Sequence, residues 1–182
     1  IRFLGKDVRL FSGRTSVGVR GIRLQNRDSV ISLAILKNIN FDTSERDNYL
    51  KFSNAERKKE KISINLNKEK LKSFKDEEQF IVSITDKGFG KRSSAYEYRV
   101  TKRGGMGIAN MQLTPRNGEE IVASFPIKNT DQLMLVTDKG KLIRCPVNGV
   151  RIAGRQTQGV TLLNVSENEK VVSVAKLEEN EQ

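Results

Sequence analysis

Histidine is absent from these 182 residues, and cysteine occurs once, at Cys145. Without imidazole there is no Ser-His pair, no His-ligated metal and no general base that titrates near neutrality. An independent enzyme has no credible catalytic constellation here. A lone cysteine forms no internal disulfide, which fits a reducing compartment, and its position suits a small strand residue better than a nucleophile. Asp86 and Asp138 are candidate metal ligands by residue type, yet each is followed by Lys-Gly between two apolar runs. That pattern predicts hairpin turns, which favour Asp and Gly. Gly104-Gly105-Met106-Gly107 superficially resembles a phosphate-cradling loop, but no Gly-Lys-Ser/Thr follows and an apolar run replaces the helix. The glycines predict a sharp turn instead. The remaining chemistry is cationic: 33 Lys and Arg oppose 22 Asp and Glu, for a net charge of +11.

The elements that position these cations repeat. Thr85-Asp86-Lys87-Gly88 returns as Thr137-Asp138-Lys139-Gly140, 52 residues on. At the same offset, Arg103 and Gly107-Ile108 return as Arg155 and Gly159-Val160. The apolar runs Ile121–Phe125 and Val171–Val174 close the two units. A third copy lies at the N-terminus, where Gly21-Ile22 and Val30-Ile31-Ser32-Leu33 match these landmarks without an opening strand. Ile1-Arg2 aligns with Ile143-Arg144, so the chain reads as a C-terminal piece of a longer protein that starts within a repeat. Units of about 50 residues with several short β runs predict a propeller-like array, because one small sheet cannot bury its own faces.

Four strands are expected per complete unit. They are Phe80–Thr85, Gly90–Ser93, Gly107–Leu113 and Ile121–Ile127, then Leu133–Thr137, Lys141–Cys145, Gly159–Val165 and Val171–Leu177. The organisation reads as a partial blade at 1–36, an insertion at 37–78, a second blade at 79–131 and a third at 132–182 with an acidic tail, Glu178-Glu179-Asn180-Glu181. The insertion breaks the 52-residue offset. Asp42, Thr43 or Ser44 caps a helix to about Lys61, with Tyr49, Phe52 and Ala55 at helical spacing, and a shorter helix covers Lys68 to Phe74. It is expected to decorate the array, with its ends close together and its removal tolerated. A mean hydropathy of −0.52 and no apolar run near the roughly 20 residues of a membrane helix argue against a membrane partner.

The insertion's charges nearly cancel at +2, which leaves +9 on the repeats. The candidate DNA-contacting residues are Arg2, Arg14, Arg20 and Arg23 in the first unit. The second contributes Lys91, Arg92, Arg99, Lys102 and Arg103, and the third Lys141, Arg144, Arg151 and Arg155. Arg92 and Arg144 follow tight turns, so exposed side chains are expected there. Periodic Lys and Arg with few aromatics suit duplex phosphates better than stacking on single-stranded bases.

Gly13 to Leu24, Gly88-Phe89-Gly90-Lys91-Arg92-Ser93 and Gly154-Arg155-Gln156-Thr157-Gln158-Gly159-Val160 resemble the C-terminal domains of bacterial DNA gyrase A proteins. The resemblance covers nearly everything outside the insertion. It implies an all-β pinwheel, a propeller-like array with strands exchanged between blades, of which this chain holds about three. It further implies DNA bent around a basic rim and a bacterial, cytoplasmic, chromosome-associated location. The implied partners are duplex DNA, the remainder of gyrase A, and gyrase B in a heterotetramer, with ATP and magnesium used elsewhere in that holoenzyme and no cofactor in this fragment. The family's Gln-Arg-Arg-Gly-Gly-Lys-Gly box is only partly echoed, by Lys102-Arg103-Gly104-Gly105-Met106-Gly107, and Tyr49, Tyr96 and Tyr98 carry no cleavage role. The alternatives are the related C-terminal domain of topoisomerase IV and a protein-interaction propeller with exposed aromatic or acidic anchors.

Overall fold

A computed structural model describes residues 1–63 and 66–178; the last part of the acidic tail lies outside them. The strands are β1 (Phe80–Thr85), β2 (Phe89–Ser94), β3 (Ile121–Ile127), β4 (Gln132–Thr137), β5 (Leu142–Pro146), β6 (Val160–Thr161) and β7 (Val171–Leu177). Two antiparallel sheets have the orders β3-β1-β2-β6 and β5-β4-β7. Alternation along β4 buries Leu133 and Leu135. They join Val82, Ile84, Val147, Val150 and Val171 in one core spanning both sheets. Burying each such side chain contributes about 1.5–3 kcal/mol, so the two sheets stabilise each other.

The third expected strand of each unit is the main departure from the sequence reading. Of Gly159–Val165, only Val160–Thr161 is a strand, and it pairs with Phe89 and Gly90 of the preceding unit. Gly107–Leu113 forms no strand. Gly107 instead abuts the backbone of Ile1 in the unit before it. A unit therefore completes its neighbour's sheet rather than its own, as strand exchange requires. Residues 1–36 likewise contain a 3₁₀ turn, Gly5–Asp7, and no strand. Among the described residues, the expected closing run at 30–33 has no ladder partner. Leu33 and Ile35 are 85% and 90% exposed.

The repeated Thr-Asp-Lys-Gly is a turn, as expected, and it also fastens the closing strand. Gly88 and Gly140 take φ of +74° and +80°, and their amides donate to Thr85 O and Thr137 O. The Thr85 and Thr137 hydroxyls accept from the amides of Phe89 and Lys141. Asp86 Oδ1 accepts from Glu119 N at 3.0 Å, and Asp138 Oδ1 from Lys170 N at 3.0 Å. Each carboxylate thus ties its hairpin to the segment entering β3 or β7.

The insertion contains α1 (Thr43–Lys58) and α2 (Lys68–Asp76). Asp42 caps α1 by accepting from Ser44 N, and α1 stops where Lys59 turns left-handed at φ +61°. Asn67 caps α2 by accepting from Lys70 N. The helices are more than decoration. Tyr49 and Phe74, with Phe41, surround Tyr96 of the second unit in a separate aromatic core, and Tyr96 OH donates to Phe74 O. Removing residues 37–78 would uncover Tyr96. The ends of the segment do lie together: Lys37 N donates to Gln79 Oε1 at 2.9 Å, and Gln79 Nε2 donates to Lys37 O at 3.0 Å.

Gly159 combines φ +78° with a site where a Cβ would stand 2.7 Å from both Gly90 O and the Met111 methyl. Gly159→Ala is expected to cost about 1–3 kcal/mol, lowering the melting midpoint by roughly 2–4 °C per kcal/mol in a chain of this size. Gly149→Ala, with nothing within 4 Å of the added carbon, is the control. Equal melting of the two variants would contradict the assigned joint.

Candidate nucleic-acid interface

Three 3₁₀ turns stand in equivalent places: Gly5–Asp7, Ala95–Glu97 and Val147–Gly149. They divide the arginines around them into two sets. Before each turn come Arg2, Arg92 and Arg144; after it come Arg9, Arg99 and Arg151. The first set faces neighbouring protein wherever a following unit is present. Arg92 is 6% exposed, with Nε donating to Val150 O at 2.7 Å, Nη1 to Asn129 Oδ1 and Nη2 to Asn148 O. Arg2 is half-buried and donates to Ala95 O at 2.8 Å and Tyr98 O at 3.4 Å. Arg144 is exposed, its Nε donating to Gln132 Oε1.

Lys91 is fully buried. Its Nζ donates to the carbonyls of Gly154, Arg155 and Thr157 at 2.8, 2.5 and 3.2 Å. Burial pushes its pKa down to about 8, while three carbonyl acceptors match the three N–H groups of the ammonium form. The expectation of an exposed Arg92 is therefore overturned, and Lys91, a candidate DNA contact, is buried beside it. Lys91 directs its ammonium to backbone of the next unit, and Arg92 binds two carbonyls there and the Asn129 side chain, so neither stands as a solvated cation.

The second set is open. Arg99 and Arg151 are exposed, as are Arg14, Arg20, Arg23 and Lys102, and none of them forms an ion pair among the described residues. Arg9, absent from the sequence-based selection, is also exposed and lies 5.1 Å from the Phe11 ring centroid. The offset that relates Arg2 to Arg92 would have identified it. Arg103 is exposed and partly engaged, with Nε donating to Asp7 O at 3.0 Å and Nη1 to Arg20 O at 3.2 Å. Arg155 is half-buried and donates to Ala109 O. Lys141 is exposed but pairs with Glu169 at 2.9 Å.

The ion pairs are unevenly distributed. Lys37–Glu77, Arg46–Asp47, Arg57–Glu78, Lys58–Glu60, Lys70–Glu45 and Lys75–Glu56 all lie within 37–78. Six of the insertion's eleven cations are paired within it, whereas Arg9, Arg99 and Arg151, on the loops after the 3₁₀ turns, form no ion pair among the described residues. Sequence reasoning also missed two buried polar groups. Asn117 donates to Gln112 O and Gln158 O, joining its loop to the next unit. Glu169 accepts from Ser166 N, the Thr137 hydroxyl and Lys141.

A family model described as the DNA gyrase C-terminal domain, beta-propeller, matches residues 1–37, 79–128 and 131–178. The chain belongs to this family. The matched segments leave out the helical residues, and they meet the next unit through the strand and arginine contacts described above. The DNA gyrase A protein of Granulibacter bethesdensis is 42% identical over 203 residues, covering 100% of this chain and 22% of its own length. That of Rickettsia bellii is 44% identical, covering 99% and 21%. The chain thus spans about a fifth of these relatives. A solved DNA gyrase A C-terminal domain superposes with a TM-score of 0.51 at 24% identity, over 55% of this chain and 34% of that one. The C-terminal domain of a DNA topoisomerase IV gives 0.51 at 26%, over 55% and 31%. These likenesses support the β-pinwheel fold. Among the described residues, no helix is long and apolar enough to cross a membrane.

Lys91→Met is expected to leave three carbonyls without their donor and to destabilise by about 1–3 kcal/mol, with duplex affinity per folded molecule unchanged. Denaturant titration beside a binding isotherm checks both; intact stability with weaker binding would return Lys91 to the interface. A separate expectation concerns acid. The Ser166 amide, the Thr137 hydroxyl and Lys141 hold the Glu169 carboxyl down at about 2, from an ordinary 4.5. A lowered folded-state pKa means that this stabilisation is present above pH 4.5 and is lost as pH falls toward about 2. Melting midpoints measured across that window should drop less in Glu169→Gln than in the parent, and parallel curves would refute the assignment.

Proposed function

We propose that this chain is a DNA-wrapping module of gyrase A and has no catalytic role of its own. The observation that carries the reading is a recurrence: Arg9, Arg99 and Arg151 stand as exposed side chains without an ion pair among the described residues, at equivalent places on successive units. Arg14, Arg20, Arg23 and Lys102 extend that basic surface, with Arg103 and Lys141 at its margin. Guanidinium and ammonium groups displace condensed counterions from the phosphate backbone, so binding depends strongly on salt and weakly on sequence. Successive contacts offset a bending cost of order 1–6 kcal/mol for a smooth 40–90° bend over 20–30 base pairs. Membership of a gyrase A polypeptide supports the reading, which makes duplex DNA, the remainder of gyrase A, and gyrase B the partners. ATP and magnesium act outside this chain in such an assembly, in the bacterial cytoplasm at the chromosome.

The test is duplex affinity measured against salt on mixed-sequence DNA. With about four phosphates neutralised, log K is expected to fall with log salt at a slope near −3.6. Replacing Arg9, Arg99 and Arg151 together by Ala should flatten the slope by about 0.9 for each contact removed. A slope near zero in the parent, or a triple variant of unchanged slope, would remove the proposal and favour a protein-interaction propeller.

A further inference from the structure

The middle residues of the three 3₁₀ turns stand in different surroundings. Lys6 and Asn148 are exposed, whereas Tyr96 is 6% exposed. Its cover comes from the insertion. The Tyr49 and Phe74 rings stack with centroids 4.9 Å apart, and Tyr96 meets them edge-on at 5.6 and 5.5 Å. Phe41 stacks on Phe74 at 3.7 Å and meets Tyr96 edge-on at 6.0 Å. Edge-to-face pairs constrain the angle of a ring as well as its place. Tyr96 OH donates to Phe74 O at 3.1 Å, so the insertion takes up its polar end too. Tyr49 is itself held, its hydroxyl donating to Glu78 Oε2 at 2.8 Å beside the Arg57–Glu78 ion pair. Among the described residues, Tyr96 is the one member of this aromatic core that the repeats contribute.

The same turn is fastened by its neighbours. Arg2 of the first unit donates to Ala95 O and Tyr98 O. Ala95 N donates to Gln79 O at 2.8 Å, where the insertion rejoins the array. Arg99 leaves this fixed turn three residues after Tyr96, exposed and without an ion pair among the described residues. Arg9 and Arg151 leave turns whose middle residue has no such cover. Binding a phosphate costs conformational freedom in the loop and side chain that make the contact, and a backbone fixed beforehand reduces that cost.

We propose that Tyr96 is a positioning residue for DNA contact, through which the helical insertion holds the loop carrying Arg99 in its binding geometry. The inference rests on the DNA reading above. It gives the insertion a part in that function which its near-neutral charge does not reveal.

A cycle of variants in a full-length gyrase A polypeptide carrying this chain tests it, with duplex affinity measured against salt. Arg99→Ala and Tyr96→Asn are each expected to flatten the slope, by about 0.9 at most. The double variant should be no flatter than Arg99→Ala alone, because residues that act through one another are not additive. Hydrogen exchange over 97–103 should quicken at least tenfold in Tyr96→Asn, with exchange over β1 and β4 unchanged. Phe74→Leu, which keeps Tyr96 and every rim cation, should shift slope and exchange in the same direction, and it decides the matter if Tyr96→Asn does not fold. The parent's slope in Tyr96→Asn and Phe74→Leu, beside a flattened slope in Arg99→Ala, would overturn the proposal and spare the DNA reading. Additive losses in the double variant would also overturn it. The parent's slope in Arg99→Ala would remove the DNA role of this loop, and the proposal with it.

Discussion

The second unit's sheet takes its outermost strand from the third unit, and that constraint organises the rest. β2 receives its outer partner from Val160–Thr161 of the following unit. A ladder of two residue pairs is a small contact, so other groups must hold it in place. Lys91 and Arg92 do so by spending their donors on carbonyls of the next unit. Asp86 adds to the same joint: its carbonyl accepts from Val171 N at 2.7 Å, and its buried carboxylate lies 3.5 Å from Lys170 Nζ. Charged groups are costly to bury alone, but here they meet several backbone acceptors or an opposite charge. The joint is polar at its rim and apolar behind, where the cores of the two sheets run together.

This arrangement divides the basic residues by task. Within each unit one arginine precedes the 3₁₀ turn and a second follows it, seven residues later. The two lie close in sequence yet in opposite surroundings. In the first two units the first, Arg2 or Arg92, caps carbonyls of the next unit; the second sits exposed on the loop leaving the turn. Net charge alone overstates the surface available to a polyanion, because Arg2, Lys91 and Arg92 contribute to it without facing solvent as free cations.

The regular strands and the turns were legible because period-two burial and Thr-Asp-Lys-Gly are local signals. β1, β3 and β7 run over the expected residues, and both insertion helices begin at residues whose side chains cap them. The exchanged strand was less legible. The run Gly159–Val165 has the composition of a strand, but its partner is chosen by packing between units, which periodicity within one unit does not encode. Arg92 was misread for the same reason: a cation after a hairpin is ordinarily solvated, and only the neighbouring 3₁₀ turn makes burial favourable. The repeat itself held the missing signal, since positions that recur at a joint share its surroundings.

The reciprocal bonds between Lys37 and Gln79 close the base of the helical insertion. Load passing from the first unit to the second can cross this pair and the Ser32 contact to Ser124 O without travelling through α1 or α2. The helices stand in parallel with the array's force path rather than in series. Their length and sequence are thereby free to change without altering the spacing of the units, provided that the aromatic seat of Tyr96 is kept.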